Sequence, residues 1–222
     1  MPTLYILGGP DGSGKTTWYN EEIKNNRLDK SIACLDVDRI IFEELGSFSE
    51  RNLDRANVKA TLRLWEHLKH KQDVLIEANL LNMGQYLHIE RMKSVHGYNA
   101  VLLYIGTGSM EINLDRISQR ISEGGHPAKQ ELTQSKFDES FDFLQAKLSI
   151  FSSAYLYDNS GKSTVLMANF KDGRIYKSME PNQWVSKIID TAKINHEQLK
   201  KSKSILSAMT KPAKSTLKKK PR

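Results

Sequence analysis

Apolar residues in this 222-residue chain fall into short runs separated by stretches with helical spacing. TLYILG, SIACLDVD, DVLIEANL and NAVLLYIG are near-continuous apolar runs of strand length, the pattern of parallel strands covered on both faces. Between them, SGKTTWYNEEIKNN reads as a helix. Residues 53–71 form a second, with Val58, Leu62 and Trp65 at i, i+4, i+7, and residues 85–95 a third. A further helix from Met110 sets Met110, Leu114, Ile117 and Ile121 on one core stripe. The next sets Phe137, Phe141, Leu144 and Leu148 inward, with Lys136 and Ser140 beside them. SSAYLYDNS and STVLMANF read as strands, KDGRIY as a turn entering a last short strand, and Trp184, Val185, Ile188, Ile189 and Ala192 mark a closing helix. Strands alternating with helices predict an α/β fold, an open and mostly parallel sheet with helices on both faces.

The first strand hands over to the first helix through GGPDGSGKTT, Gly9 to Thr16 carrying the spacing G-x-x-x-x-G-K-S/T. A glycine-rich turn aims successive backbone N–H groups at one anion, and the following helix adds its positive N-terminal end. Gly9, Pro10, Asp11, Gly12, Ser13, Gly14 and Thr17 are therefore read as a nucleotide-binding loop. Lys15 reaches the β- and γ-phosphates of ATP, and the Thr16 hydroxyl is the ligand for Mg²⁺. The expected architecture is that of a P-loop NTPase.

In such a sheet, ligands bind beyond the carboxyl ends of the strands, which directs attention to the polar residues there. The second run ends in Asp36-Val37-Asp38, where strand alternation would send both carboxylates to one side. The third ends in Glu77, followed by Asn79. A carboxylate at either place suits the proton-accepting or magnesium-holding roles of phosphoryl transfer; helix capping by Asp36 and simple solvation of Glu77 are the alternatives. Arg116 and Arg120 lie four apart on the edge of their helix, spaced to offset phosphate charge or to form surface ion pairs. Gly124-Gly125 would end that helix, with His126 following.

Composition adjusts this picture in two places. The formal charge of +7 arises from the end of the chain: from Lys200 onward there are nine basic residues and no acid, leaving 24 basic and 26 acidic residues before it. Residues 1–198 thus read as one near-neutral domain and 199–222 as a basic, disordered tail able to contact a polyanion. The single cysteine, Cys34, sits in an apolar run and cannot form an internal disulfide, and no stretch approaches the roughly 20 apolar residues of a membrane span. A cytoplasmic setting is expected.

The ordered set GGPDGSGKTT, LDVDRI, IEANLL, GYNAVLLYI, DRISQRISEGGH and YDNS, across residues 3 to 160, resembles the zeta-toxin family of P-loop kinases. The resemblance implies an ATP- and Mg²⁺-dependent kinase acting on a hydroxyl of a nucleotide sugar such as UDP-N-acetylglucosamine, with an antitoxin partner. It implies that Asp38 deprotonates the acceptor, that Glu77 and Asn79 lie on the substrate side, and that Arg116 and Arg120 contact phosphate. Asn159 would lie near the adenine, and His126 would belong to a GGH turn on the substrate side. Two departures stand out. Lys136 occupies the place of an arginine and lacks its forked grip on phosphate, and Glu77-Ala78-Asn79 replaces an acid followed by threonines. Two other readings fit a phosphate loop: a nucleotide-gated switch that binds partners, although no N-K-x-D base-reading motif is present, and a polynucleotide 5′-hydroxyl kinase, which the basic tail would suit.

Overall fold

The architecture comes from a computed structural model and is described for residues 1–123, 134–171 and 174–193. The elements are β1 (Thr3–Gly8), α1 (Lys15–Lys24), β2 (Ala33–Leu35), α2 (Val37–Glu44), α3 (Glu50–Lys69), β3 (Val74–Ala78), α4 (Met83–His96) and β4 (Asn99–Gly106). They continue with α5 (Met110–Ser122), α6 (Gln134–Lys147), β5 (Ser153–Asp158), β6 (Val165–Lys171) and β7 (Arg174–Lys177). Residues 183–193 are helical.

The seven strands run in the order β2-β3-β1-β4-β5-β6-β7. The first five are mutually parallel, and β6 and β7 turn back antiparallel at one edge. β1 is central: Leu4 pairs with Val74 on one side and Ala100 on the other. The chain leaves β1 toward β2 and β3 and returns to its opposite flank as β4, so the topological switch falls at the carboxyl end of β1. The phosphate-loop sequence lies there.

Alternation along the strands divides the interior in two. Leu4 and Ile6 join the larger cluster, with Tyr86, Ile89 and Met92 of α4, Phe137, Phe141 and Leu144 of α6, and Trp184, Val185 and Ile188 of the closing helix. Leu7 faces the other way, with Leu75, Leu103 and Ile105, under Trp18 of α1. Trp18 stacks obliquely on Tyr157 at a centroid distance of 5.0 Å. Sharing one face with Leu7, Glu77 is its register partner across the β1–β3 ladder.

The expected elements form, with three differences. The segment after β2 is helical: α2 is capped by the Asp36 side chain, which accepts from the backbone N–H of Asp38 and Arg39. Strand alternation therefore does not carry Asp36 and Asp38 to one side. The strand stops at Leu35, and Asp36 serves as the N-cap that its side chain favours. Second, α3 carries two apolar lines. Val58, Leu62 and Trp65 are 59%, 64% and 53% exposed, whereas Ala56, Leu64 and Leu68 are buried, with Leu53 and Ala60 packed beside α2. The small alanines let α2 approach closely, which decides which line turns inward. Third, Ile121 is exposed, although Ile117 of the same predicted stripe is buried. The 199–222 tail lies outside the described residues.

The choice of face on α3 is open to direct measurement. Leu64→Ala should destabilise the protein by ~2–5 kcal/mol and Leu62→Ser by less than ~0.5 kcal/mol, both read from denaturant unfolding.

Candidate phosphate-binding site and acceptor cleft

The loop between β1 and α1 is shaped by two carboxamides from distant parts of the chain. Asn113 of α5 is fully buried and donates Nδ2–H to the Asp11 carbonyl at 2.8 Å, while its Oδ1 accepts from the Thr107 hydroxyl. Asn159, just past β5, donates to the Ser13 carbonyl at 2.8 Å and accepts from Thr164 at 2.9 Å. Alternate carbonyls of the loop are thus drawn to the protein. Both contacts demand glycine beside them. At Gly12 (φ 76°) a Cβ would lie 2.4 Å from the Asn113 carbonyl oxygen, and at Gly14 (φ 93°) 2.3 Å from Asn159 Nδ2. Those positive φ values are the left-handed conformation that glycine adopts without steric cost.

Gly14 is the N-cap of α1, which has no side-chain cap and no acid in its first turn. Its positive end is left to an external anion. Thr16 and Thr17 stand exposed on that turn, and Gly9 and Pro10 are buried. Ser13 Oγ and Arg116 Nη1 are both buried without a hydrogen-bond partner. Arg116 Nη1 is 4.0 Å from where a Gly14 Cβ would be. Unsatisfied buried donors beside an uncapped helix start fit a polyphosphate, which would supply the missing acceptors. Arg120, one turn further along α5, is exposed.

Lys15 is 5% exposed and folds back across the loop. Its Nζ donates to the carbonyls of Gly9 at 2.9 Å and Pro10 at 3.2 Å, reaches Asn79 Oδ1 at 3.3 Å, and lies 3.5 Å from Glu77 Oε1. The lysine therefore joins the phosphate loop to the end of β3, so that Gly9 and Pro10 share one ammonium group with Glu77 and Asn79. Beyond it opens a cleft of about 220 Å³ lined by Asp36, Val37, Glu77, Ala78, Asn79, Leu81, Asn82 and Gln85. It lies at the carboxyl ends of β2 and β3, between the first turns of α2 and α4. Asn82 caps α4 by accepting from Gln85 N–H at 3.2 Å, and Gln85 Oε1 accepts from Leu81 N–H at 2.9 Å. Asp38 is half-buried in the first turn of α2, next in the chain to Val37 of the cleft lining.

A second polar centre supports the loop from behind. Asp158 Oδ1 accepts from Trp184 Nε1 at 2.9 Å, Asn182 Nδ2 at 2.7 Å and Ser160 Oγ at 2.8 Å. The Ser160 hydroxyl also accepts from Gly108 N–H at 2.7 Å. The closing helix is thereby tied to the segment that carries Asn159.

Most residues singled out in the sequence converge here: the loop, Lys15, Glu77, Asn79 and Asn159 are joined by the contacts above, and Arg116 lies beside Gly14. Lys136 is half-buried in the first turn of α6. Gly124, Gly125 and His126 lie outside the described residues. Asp158 belongs with Asn159 to the YDNS segment that the resemblance marks, whereas Asn113, Asn82 and Gln85 are marked by none of the motifs. Asn113 had a signal, since it is the polar member of the face 110, 113, 114, 117 that otherwise turns inward. Asn82 and Gln85 have the three-residue spacing of a capping box.

Cys34 belongs to the α1-side cluster. Burial, with Asp36 and Glu77 adding their negative charge, pushes its thiol up to about 12.

The strand order, the loop and the helices on both faces define an α/β P-loop NTPase fold. No family model matches the chain. The chain is 28% identical over 131 residues to an uncharacterized protein of Haemophilus influenzae, a match covering 58% of this chain and 88% of that one. Among solved structures, the AvrRxo1-ORF1:AvrRxo1-ORF2 complex with sulphate ions superposes with a TM-score of 0.54 at 18% identity, over 80% of this chain and 61% of its own. The same complex with ATP gives the same TM-score, identity and coverage. The PezAT chromosomal toxin–antitoxin system of Streptococcus pneumoniae gives 0.53 at 18% identity, over 87% and 84% of the two chains.

Two measurements follow from the geometry. Asn113→Ala leaves the Asp11 carbonyl without its partner and the Thr107 hydroxyl with the Ser109 carbonyl alone. It should cost ~1–3 kcal/mol of stability, read by denaturation. Because the raised Cys34 group stays a thiol at all pH values below its titration, its reaction with a disulfide reagent at pH 8 should be at least ~100-fold slower than that of free cysteine.

Proposed function

We propose that the protein is an ATP-dependent phosphotransferase acting on a hydroxyl group of a small molecule. The observation that carries this reading is the shared position of Lys15, held at once by the phosphate loop and by Glu77 and Asn79 at the mouth of the cleft. A group that contacts both compartments is placed to bridge donor phosphate and acceptor.

In this reading ATP, bound in the amide cradle of residues 9–17, supplies the phosphoryl group, and the Thr16 hydroxyl would hold Mg²⁺. Lys15 and Arg116 offset negative charge on the transferring group, with Arg120 joining them from the same helix. Asp38 takes the proton of the acceptor hydroxyl as its oxygen bonds to the γ-phosphorus and the bridging bond to ADP breaks. Glu77 and Asn79 orient the acceptor, together with Lys136 and His126. Asn159, through its bond to the Ser13 carbonyl, keeps the cradle open and borders the nucleotide.

The zeta-toxin resemblance makes UDP-N-acetylglucosamine the first acceptor to assay. The complexes named by the solved neighbours, AvrRxo1-ORF1:ORF2 and PezAT, support looking for an antitoxin partner of this chain. No helix among the described residues is long and apolar enough to cross a membrane, and we assign the kinase domain to residues 1–198, a polyanion-contacting tail to 199–222, and a cytoplasmic setting.

Two substitutions test the assignment. Lys15→Met should abolish transfer from γ-labelled ATP. Asp38→Asn should lower turnover by ~10²–10⁴-fold while ATP still binds in calorimetry, and unchanged turnover would remove Asp38 from its role.

A further inference from the structure

Helix α3 turns one apolar line inward and leaves the other uncovered: Val58, Leu62 and Trp65 are 59%, 64% and 53% exposed. Exposed apolar residues scattered singly are ordinary, but three in one row on one helix mark a contact surface. Arg51, Arg55 and Lys69 continue the row. Positions 51, 55, 58, 62, 65 and 69 alternate steps of four and three, the spacing by which one helix lies along another, and all six are exposed. The Trp65 ring meets that of His96, at the end of α4, edge-on at 5.5 Å, so a second helix supports one end of the row.

The row is apolar in the middle and cationic at both ends. Elsewhere on α3 the cations are paired, Lys59 and Arg63 both reaching Glu44 of α2, at 3.0 and 2.6 Å. Among the described residues, the cations of the row form no ion pair of that kind. Arg55 turns to Asn52 Oδ1 at 3.4 Å, and Glu66, the acid beside Lys69, is bonded to His70 at 2.8 Å.

This charge pattern selects among occupants. A second copy laid antiparallel about Leu62 would set Arg55 against Lys69, and a parallel copy would set each cation against itself. The end of the chain would bring nine basic residues from Lys200 onward and no acid. Like charges brought together across an interface oppose association. An acidic helix meets no such opposition, and its carboxylates complement the cations at the two ends of the row.

We propose that this row of α3 is a docking surface for an acidic amphipathic helix of a partner protein. The partner helix carries apolar residues at alternating spacings of three and four, bracketed by carboxylates about 14 residues apart, because Arg55 and Lys69 are separated by ~21 Å along the helix axis. Val58, Leu62 and Trp65 form the dry centre of the contact, and the flanking cations set the choice of partner. The surface does not depend on the kinase reading.

The test uses the full chain and two synthetic helical peptides with the same leucine seam, one bracketed by Glu and the other by Lys. Trp18 and Trp184 are 5% and 7% exposed, so acrylamide quenching of tryptophan emission reports chiefly on Trp65. The Glu peptide should shield Trp65, and the Lys peptide should bind at least ~tenfold more weakly. The difference should narrow in 1 M salt, where the screening length is ~3 Å. Leu62→Ser should abolish the shielding while its denaturant unfolding stays close to that of the parent. Equal binding of the two peptides, binding of neither, or undiminished binding by Leu62→Ser would overturn the proposal. So would a Trp65 already shielded before peptide is added: a chain that then sediments as a dimer assigns the row to a second copy, and a monomer assigns it to the basic tail.

Discussion

The site depends on how the backbone of the phosphate loop is held. Its N–H groups can turn outward as a set only if the intervening carbonyls are drawn inward. Asn113 and Asn159 do this, each through a 2.8 Å hydrogen bond, to Asp11 and Ser13. A buried carboxamide against a carbonyl is a neutral pair with little desolvation cost once made, and it is expensive to break because each group is then orphaned. The glycines at 12 and 14 belong to the same close approach, since a Cβ would run into the backbone of Asn113 at Gly12 and the carboxamide of Asn159 at Gly14. Backbone conformation, glycine placement and the open start of α1 are therefore one constraint seen from three sides.

Lys15 extends that constraint to the neighbouring strand. Burial of an ammonium group requires compensation. Here the compensation comes from two loop carbonyls, a carboxamide oxygen and a carboxylate. The β1–β3 ladder makes this possible by setting Glu77 opposite Leu7, on the side from which α1 departs. Parallel register thus fixes which strand-end acid faces the loop, and the crossover through β2 leaves room for a cleft beyond it.

Much of the fold was legible because it depends on local pattern. Apolar runs gave the five parallel strands, and the spacing Gly9 to Thr16 marked the glycine-rich turn between β1 and α1. What escaped depended on tertiary packing. Two apolar lines on α3 have equally good helical spacing, and only the approach of α2 against Ala56 and Ala60 selects the buried one. Asp36 carried an unresolved choice between strand end and helix cap, settled by the start of α2 at Val37. Asn113 and Asn159 lie about 100 and 146 residues from the carbonyls they bind. No periodicity could connect them, although a polar residue within the apolar face of α5 was a local irregularity that marked one of the two.

The separation along the chain between the phosphate loop and its supports governs when the loop can take shape. β1 precedes both of its ladder partners in the chain, β3 from residue 74 and β4 from residue 99. The Asn159 brace follows, and the Asp158 contacts with Asn182 and Trp184 come last. Since chains emerge from their N-terminus at ~5–20 residues per second, a nascent chain stopped before residue 159 would present the glycine-rich motif without one of the two bonds that shape it. The shape of the loop is in this way deferred until the strand and the asparagine that brace it have been made.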